Sequence, residues 1–264
     1  MLKQSLKNTD IVVSFRASTQ ERMDNLFTLL NYLDATFIDY RVLIVEGDVQ
    51  SLLPLALLED TRIKHIFVHA TGAFPKSLLY NTGAKYAQSD VIIFHDSDLI
   101  INPEAFNVAL NAVQKNSNLH VSPFYQVVNF SETAKKQFVQ VPNYGYFKDF
   151  DLLDFNSEYK ILSVGAVGGV NVLNRQKFMQ MGGFNSNMIG WGSEDGEFYV
   201  RWQRAGLGWY AIDYVAFHLH HDVDHRDDLK LTKNAQSNLA LELYTRTMPD
   251  EELAQLTNQL RGFF

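Results

Sequence analysis

Val91-Ile92-Ile93-Phe94-His95-Asp96-Ser97-Asp98-Leu99-Ile100 is the stretch on which the rest of the chain turns. Its four leading apolar residues suit a fully buried strand. Two carboxylates follow, one residue apart, where such a strand ends. In open α/β sheets, ligands collect at the carboxyl ends of strands. An Asp-Ser-Asp there can hold a hard divalent cation, and that cation can hold a diphosphate. The same pair also fits a solvated turn.

The bulk numbers narrow the choices. A chain of 264 residues forms one large domain, or one domain with an appendage. Its 46% hydrophobic and 20% charged residues are ordinary for a globular protein. No apolar run reaches the roughly 18 to 20 residues that span a bilayer, and the first ten residues lack the apolar core of a signal peptide. With no cysteine there is no disulfide, thiolate metal site or Cys nucleophile. These points favour the cytoplasm. A formal charge of −7 argues against general nucleic-acid binding. An acidic chain that binds an anionic substrate needs a local device, a metal or a few placed Lys and Arg.

Outward from the opening stretch, the pattern alternates. Asp10-Ile11-Val12-Val13-Ser14-Phe15 reads as a first buried strand. Ser18 and Glu21 have capping-box spacing ahead of a helix carrying Leu26, Leu29, Leu30 and Leu33 on one face. Val42-Leu43-Ile44-Val45-Glu46 reads as a second strand and residues 63–68 as a third. Residues 74–87 read as a helix with Pro75 in its first turn. Asn102-Pro103-Glu104 caps another helix. Strands are expected over residues 121–128 and 137–141, and an irregular loop covering the site over 143–158. Gly165 to Leu173 reads as a strand with close backbone approach. Ser193 caps a helix ending near Gly206, and residues 210–217 form a last strand. The order suits an α/β fold with a mixed, mostly parallel sheet flanked by helices. Residues 1–228 form the main domain, and 229–264 a helical C-terminal extension packed on it. Docking on the same chain is the default for that extension, with a partner chain or a membrane surface as the alternatives.

Three further constellations carry chemistry. His218, His220 and His221 crowd the end of the last strand, and neutral imidazole suits Mn²⁺-like ions. His65, His69, His95 and His120 read as surface or core residues. Glu194 and Asp195 open a helix; the dipole alone favours acids there, and a base that deprotonates a substrate hydroxyl fits equally. Trp191 among glycines suits a stacking wall for a sugar or base. Phe15-Arg16 and Phe74-Pro75-Lys76 each set an aromatic beside a cation. They suit base stacking and phosphate pairing, or a packed ring beside a surface charge.

Taken together and in this order, the segments resemble the GT-A glycosyltransferases, in particular the galactosyltransferase branch. That branch includes the β-1,4-galactosyltransferases and bacterial family 2 relatives such as chondroitin-type polymerases. The resemblance rests on Ser14-Phe15-Arg16, residues 74–98, residues 167–184 and residues 190–204. An Asp-x-Asp after a buried strand, with Gly-Trp-Gly-x-Glu-Asp about ninety residues later, is a specific combination. The resemblance implies a metal-dependent, inverting transfer of a hexose or N-acetylhexosamine from a UDP-sugar to a saccharide, with Mn²⁺ or Mg²⁺ as cofactor. By position it makes Asp98 a direct metal ligand and Asp96 a metal or ribose ligand. His221 becomes the family's metal His, and His218 a second ligand three residues before it. Phe15, Arg16, Phe74, Lys76 and Gly169 fall at nucleotide-sugar positions, and Glu46 where related folds place a uridine-binding acid. Asp195 matches the catalytic base, Glu194 the acid beside it at the acceptor, and Trp191 a Trp on a closing loop.

The departures bear on the acceptor. Animal enzymes carry a third acid after Glu-Asp, where this chain has Gly196 and then Glu197. Their stem, membrane anchor and disulfides have no counterpart here. The implied setting is a bacterial enzyme in the cytoplasm or at the inner face of the membrane, building a surface polysaccharide on a saccharide or lipid-linked saccharide. Two rival readings stand beside it. A nucleotidyltransferase that makes the sugar nucleotide calls for a Gly-rich phosphate loop, unlike Phe15-Arg16-Ala17-Ser18. A non-catalytic sugar-binding module explains the aromatics but not the acids and histidines at three strand ends.

Overall fold

β1 (Gln4–Phe15) lies near the middle of a seven-stranded sheet in the computed structural model, which describes residues 3–140, 159–165, 167–190, 192–221 and 233–264. Its neighbours are β2 (Phe37–Asp48) and β4 (Val91–Asp96), both parallel to it. Beyond β2 lies β3 (Ile63–His69), and beyond β4 come β9 (Val170–Asn174), β6 (Leu119–Ser122) and β10 (Gly208–Ala211). β9 runs antiparallel to both β4 and β6, so the sheet is mixed but mostly parallel.

The apolar runs are explained by burial on both faces. Ile11, Val13, Val91 and Ile93 point into one core with α1 (Gln20–Thr36) and α3 (Pro103–Lys115). Val12, Ile92 and Phe94 point into a second core with α2 (Lys76–Tyr86), α5 (Arg175–Gln180) and α6 (Glu194–Arg204). Each buried Phe there contributes about 1.5–3 kcal/mol by leaving water. Phe178 and Phe184 pack against each other and against both Phe94 and Phe198, in tilted and edge contacts with centroids 4.6–5.3 Å apart. Gly83 sits mid-helix because α2 presses on β1: a Cβ there would lie 2.1 Å from Val12 Cγ1.

A second, four-stranded sheet has the order β5 (Leu99–Ile101), β11 (Val215–His218), β7 (Gln126–Phe130), β8 (Tyr159–Val164). The Asp96-Ser97-Asp98 turn joins the two sheets, since β4 belongs to one and β5 to the other. The C-terminal helices α7 (Lys233–Thr247) and α8 (Asp250–Arg261) pack on the same chain. Asn238 Nδ2 donates to Ile189 O at 3.1 Å, Arg204 to the carbonyls of Thr245 and Met248, and Arg261 Nε to Gln180 O at 2.8 Å.

Several expectations need correction. The cap of α1 is Thr19, whose Oγ1 accepts from Arg22 N, not Ser18. Residues 132–140 form helix α4 (Glu132–Gln140) where a strand over 137–141 was expected. Ser131 Oγ accepts from Ala134 N, and Lys136 pairs with Glu132 one turn away, which outweighs local β-propensity. The single last strand divides into β10 and β11, which join different sheets. Ser193 holds the N-cap position of α6, with its carbonyl accepting from Glu197 N at 2.8 Å, but its backbone is left-handed at φ 68° and its side chain makes no cap bond. The loop expected over 143–158 and Trp191 lie outside the described residues.

Candidate active site

β4 delivers Asp96 at its end, and the backbone N–H of Asp96 donates to Gly169 O at 2.8 Å. Gly169 has φ +92°, and a Cβ there would meet Leu99 Cδ1 at 2.6 Å, so only glycine fits this approach. α2 supplies Lys76 and, one turn on, Tyr80. Tyr80 Oη donates to Asp96 Oδ1 at 2.6 Å. Lys76 Nζ stands 3.2 Å from Asp96 Oδ2, 3.0 Å from Glu194 Oε1 and 3.3 Å from Asp195 Oδ2. Burial alone would push this ammonium down, yet the three carboxylates hold it well above the ordinary lysine value.

The acids around Lys76 differ in character. Burial pushes Asp195 up to about 7; Lys76 opposes this, and Glu194 and Asp96 add to it. Burial likewise raises Asp96 against the pull of Lys76. Glu194 moves down, because Lys76 and the backbone outweigh its burial. Environments that drive neighbouring acids apart mark an acid/base site. Asn171 Nδ2 reaches Asp195 Oδ1 at 3.2 Å.

A second cluster lies across the Asp-Ser-Asp turn. Leu219 N donates to Asp98 O at 2.7 Å, which ties the segment after β11 to the turn. His221 Nε2 and His218 Nε2 then stand 3.1 Å and 3.7 Å from Asp98 Oδ2. Arg22 Nη1 is 3.6 Å from the same oxygen. Burial would raise Asp98, but His218, His221 and Arg22 hold it well below the usual carboxylate range. One carboxylate oxygen and two imidazole nitrogens within 4.8 Å of one another form a donor set that fits a divalent transition ion. His218 Nδ1 meets Asn129 Oδ1 at 2.8 Å, which turns Nε2 toward the cluster. His220 is not in the set; its carbonyl accepts from Lys135 Nζ at 2.9 Å.

Not every sequence candidate reaches this site. Phe15 is in the core at 1% exposure. Arg16 donates to Gly47 O and Gly72 O, both at 2.8 Å, and packs on the Phe74 ring at 5.4 Å. The carboxylate of Glu46 is fully buried and accepts from Ser51 Oγ and Leu52 N, with His65 Nε2 at 2.9 Å. The strand runs two residues past it, to Asp48. Sequence reasoning passed over Tyr80, Arg22, Asn129, Asn171 and His120. Only Tyr80 had a signal, its helical spacing from Lys76.

Residues 10–209 match the model of the glycosyltransferase-like family 2. The chain belongs to that family. A stretch of 41 residues is 49% identical to beta-1,4-galactosyltransferase 7 of Drosophila melanogaster; it covers 16% of this chain and 13% of that relative's length. Among solved structures, GalNAc-T7 with UDP, GalNAc and Mn²⁺ matches 96% of this chain and 54% of its own, at 11% identity and a TM-score of 0.61. The catalytic domain of the Drosophila galactosyltransferase with xylobiose matches over 89% of this chain and 79% of its own, at 19% identity and a TM-score of 0.48. The fold of this family 2 member is the GT-A fold, a mostly parallel sheet flanked by helices. No described helix is long and apolar enough to cross a membrane.

Proposed function

We propose that this chain is a metal-dependent, inverting glycosyltransferase that moves a hexose or N-acetylhexosamine from a UDP-sugar to a saccharide hydroxyl. The observation that carries the reading is Asp195, a buried carboxyl raised to about 7 and set beside Lys76 at the strand end that also bears the Asp98–His218–His221 cluster. A base poised near neutrality suits abstraction of a hydroxyl proton. GalNAc-T7, which shares the fold, is known with Mn²⁺ and UDP. Asp98, His218 and His221 would hold Mn²⁺ here, or Mg²⁺ less well because two donors are imidazoles. When bound, the ion supplies positive charge beside a diphosphate leaving group.

The chain's own groups do the rest. Lys76 adds a fixed cation for the diphosphate. Asp195 accepts the proton of the acceptor hydroxyl as its oxygen bonds to the anomeric carbon. The bond from that carbon to the phosphate oxygen breaks on the opposite face and releases UDP, with inversion. Glu194 stays ionised beside the base and suits an acceptor hydroxyl. As setting we propose assembly of a bacterial surface polysaccharide on a saccharide or lipid-linked saccharide; the resemblance of the sequence blocks to bacterial family 2 enzymes supports it.

The test is a screen of UDP-Gal, UDP-GalNAc, UDP-Glc and UDP-GlcNAc for Mn²⁺-dependent release of UDP, followed by Asp195→Asn. General-base assistance is worth about 10²–10⁴-fold, and the variant is expected to lose that much turnover with donor affinity intact. Wild-type turnover in Asp195→Asn would sink the assignment. A chain that binds these donors but releases no UDP would be a binding module.

A further inference from the structure

Behind Asp195 stand two buried side chains, Asn171 in contact with it and His120 in contact with Asn171, to which the proposed mechanism gives no part. Asn171, on β9 and 1% exposed, donates from Nδ2 to Asp195 Oδ1 at 3.2 Å. Its own Oδ1 meets His120 Nε2 at 2.6 Å. His120 lies on β6, equally buried, opposite Leu173 in the antiparallel register and diagonal to Asn171. The diagonal brings long side chains on one face within reach. The chain of contacts thus runs from β6 through β9 to the first turn of α6.

We propose that Asn171 and His120 are positioning residues that fix the orientation of the Asp195 carboxylate. The inference rests on Asp195 being the base.

The hydrogen-bond logic runs one way. An ionised carboxylate only accepts, so Asn171 must turn its NH₂ toward Asp195 and its carbonyl toward His120. His120 must then donate from Nε2, which makes it the neutral Nε2–H tautomer. Burial holds it there, pushing its imidazolium down to about 4. Its Nδ1 is buried and meets no partner among the described residues. The ring packs edgewise between Phe198 and Trp202 at 5.8 Å and 5.9 Å, a place an apolar side chain would fill without stranding a nitrogen. What the histidine supplies here and an apolar side chain would not is its single donated bond. On the other side, Gly168 leaves room for Asp195 Oδ2, and Lys76 Nζ lies 3.3 Å from it. Asn171 holds Oδ1 and Lys76 holds Oδ2, so the carboxylate is fixed at both oxygens, each with a lone pair left over. Alignment of this kind governs rate more than binding.

Three variants, read beside Asp195→Asn, test the proposal in the full chain with Mn²⁺ and the active donor. Asn171→Ala is expected to lower kcat about tenfold or more, with donor KM within about twofold. Loss of a donor to the ionised form also moves the acidic limb of the pH profile up by about one unit. Lys76 from α2, Asp96 from β4 and Glu194 on the same helix face Asp195 too, and they are unchanged in these variants. His120→Gln keeps an N–H near the Nε2 position and is expected to retain turnover within about threefold, whereas His120→Met behaves like Asn171→Ala. A packing role predicts the reverse order, since Met buries more comfortably than Gln. Circular dichroism checks that each variant folds, and the His120 pair decides the matter if Asn171→Ala does not. If Asp195→Asn is inactive while His120→Met and any folded Asn171→Ala keep wild-type kcat and pH limb, this inference alone falls. If Asp195→Asn keeps full activity, the base assignment falls and this inference with it.

Discussion

Gly168 and Asp195 share one small volume. A Cβ at position 168 would lie 2.3 Å from Asp195 Oδ2 and 2.8 Å from its Cγ. Gly168→Ala must therefore push the carboxylate aside, while the backbone accommodates alanine. A displaced base loses about 10²-fold in rate for an ångström of error, so kcat measured on the active donor should fall by about that much with little change in melting temperature. The charge of Asp195 makes a second prediction. Only the ionised form accepts a proton, so kcat/KM should fall about tenfold per pH unit below about 7 and level off above it. Stability runs the other way. The folded value lies above the ordinary 3.8, so this group's contribution is complete below that value and is lost as pH rises through 7. Much of this site could be read from the sequence, because Asp96, Asp98, His218, His221 and Asp195 are chemically conspicuous at strand and helix ends. Asn171 and His120 were not, since a buried Asn and a core His declare a partner only when two strands are paired. For Glu46 the acid at the strand end was legible, but the bonds of its carboxylate to Ser51, Leu52 and His65 come from segments the sequence does not pair.

α6 carries Asp195 in its first turn and is anchored two turns later by a wholly buried ion pair. Arg201 donates to both oxygens of Glu197, at 2.7 Å and 2.9 Å, and also to the carbonyls of Met181 and Gly183. Both side chains are fully buried. Removing one member leaves an uncompensated charge, which costs about 3–5 kcal/mol. Arg201→Leu should lower stability by that amount in urea unfolding; a change under 1 kcal/mol would mean the pair is dispensable. The helix itself was legible from Glu194 to Gly206, because its acids lie at the start and its stop residue is glycine. α4 was not, because the β-branched residues near its end suggested a strand. The Ser131 cap and the Glu132–Lys136 pair that decide for helix lie upstream of them. The last strand failed for a tertiary reason. Its two halves pair with β6 and β7, and nothing local marks where a chain leaves one sheet for another.

The two sheets meet at the Asp96-Ser97-Asp98 turn, and this gives the whole molecule a measurable property. Asp96 ends a strand of the large sheet and faces Lys76 and Tyr80; Asp98 opens the small sheet and faces the histidines after β11. The metal cluster therefore draws on segments more than a hundred residues apart, which come within 4.8 Å only in the folded chain. An unfolded chain has no such set, so an ion that binds here stabilises the native state by RT ln(1 + [L]/Kd), or about 2.7 kcal/mol at a hundredfold excess over Kd. Thermal unfolding followed by circular dichroism should show a midpoint that climbs with Mn²⁺ concentration and falls back with EDTA. Asp98→Ala and His221→Ala should abolish the climb, while Asp195→Asn should keep it, because its carboxylate is not one of the three donors. A midpoint insensitive to Mn²⁺, or one that still climbs in both ligand variants, would move the metal away from Asp98, His218 and His221. Because no substrate enters this measurement, it locates the ion independently of which sugar the enzyme transfers.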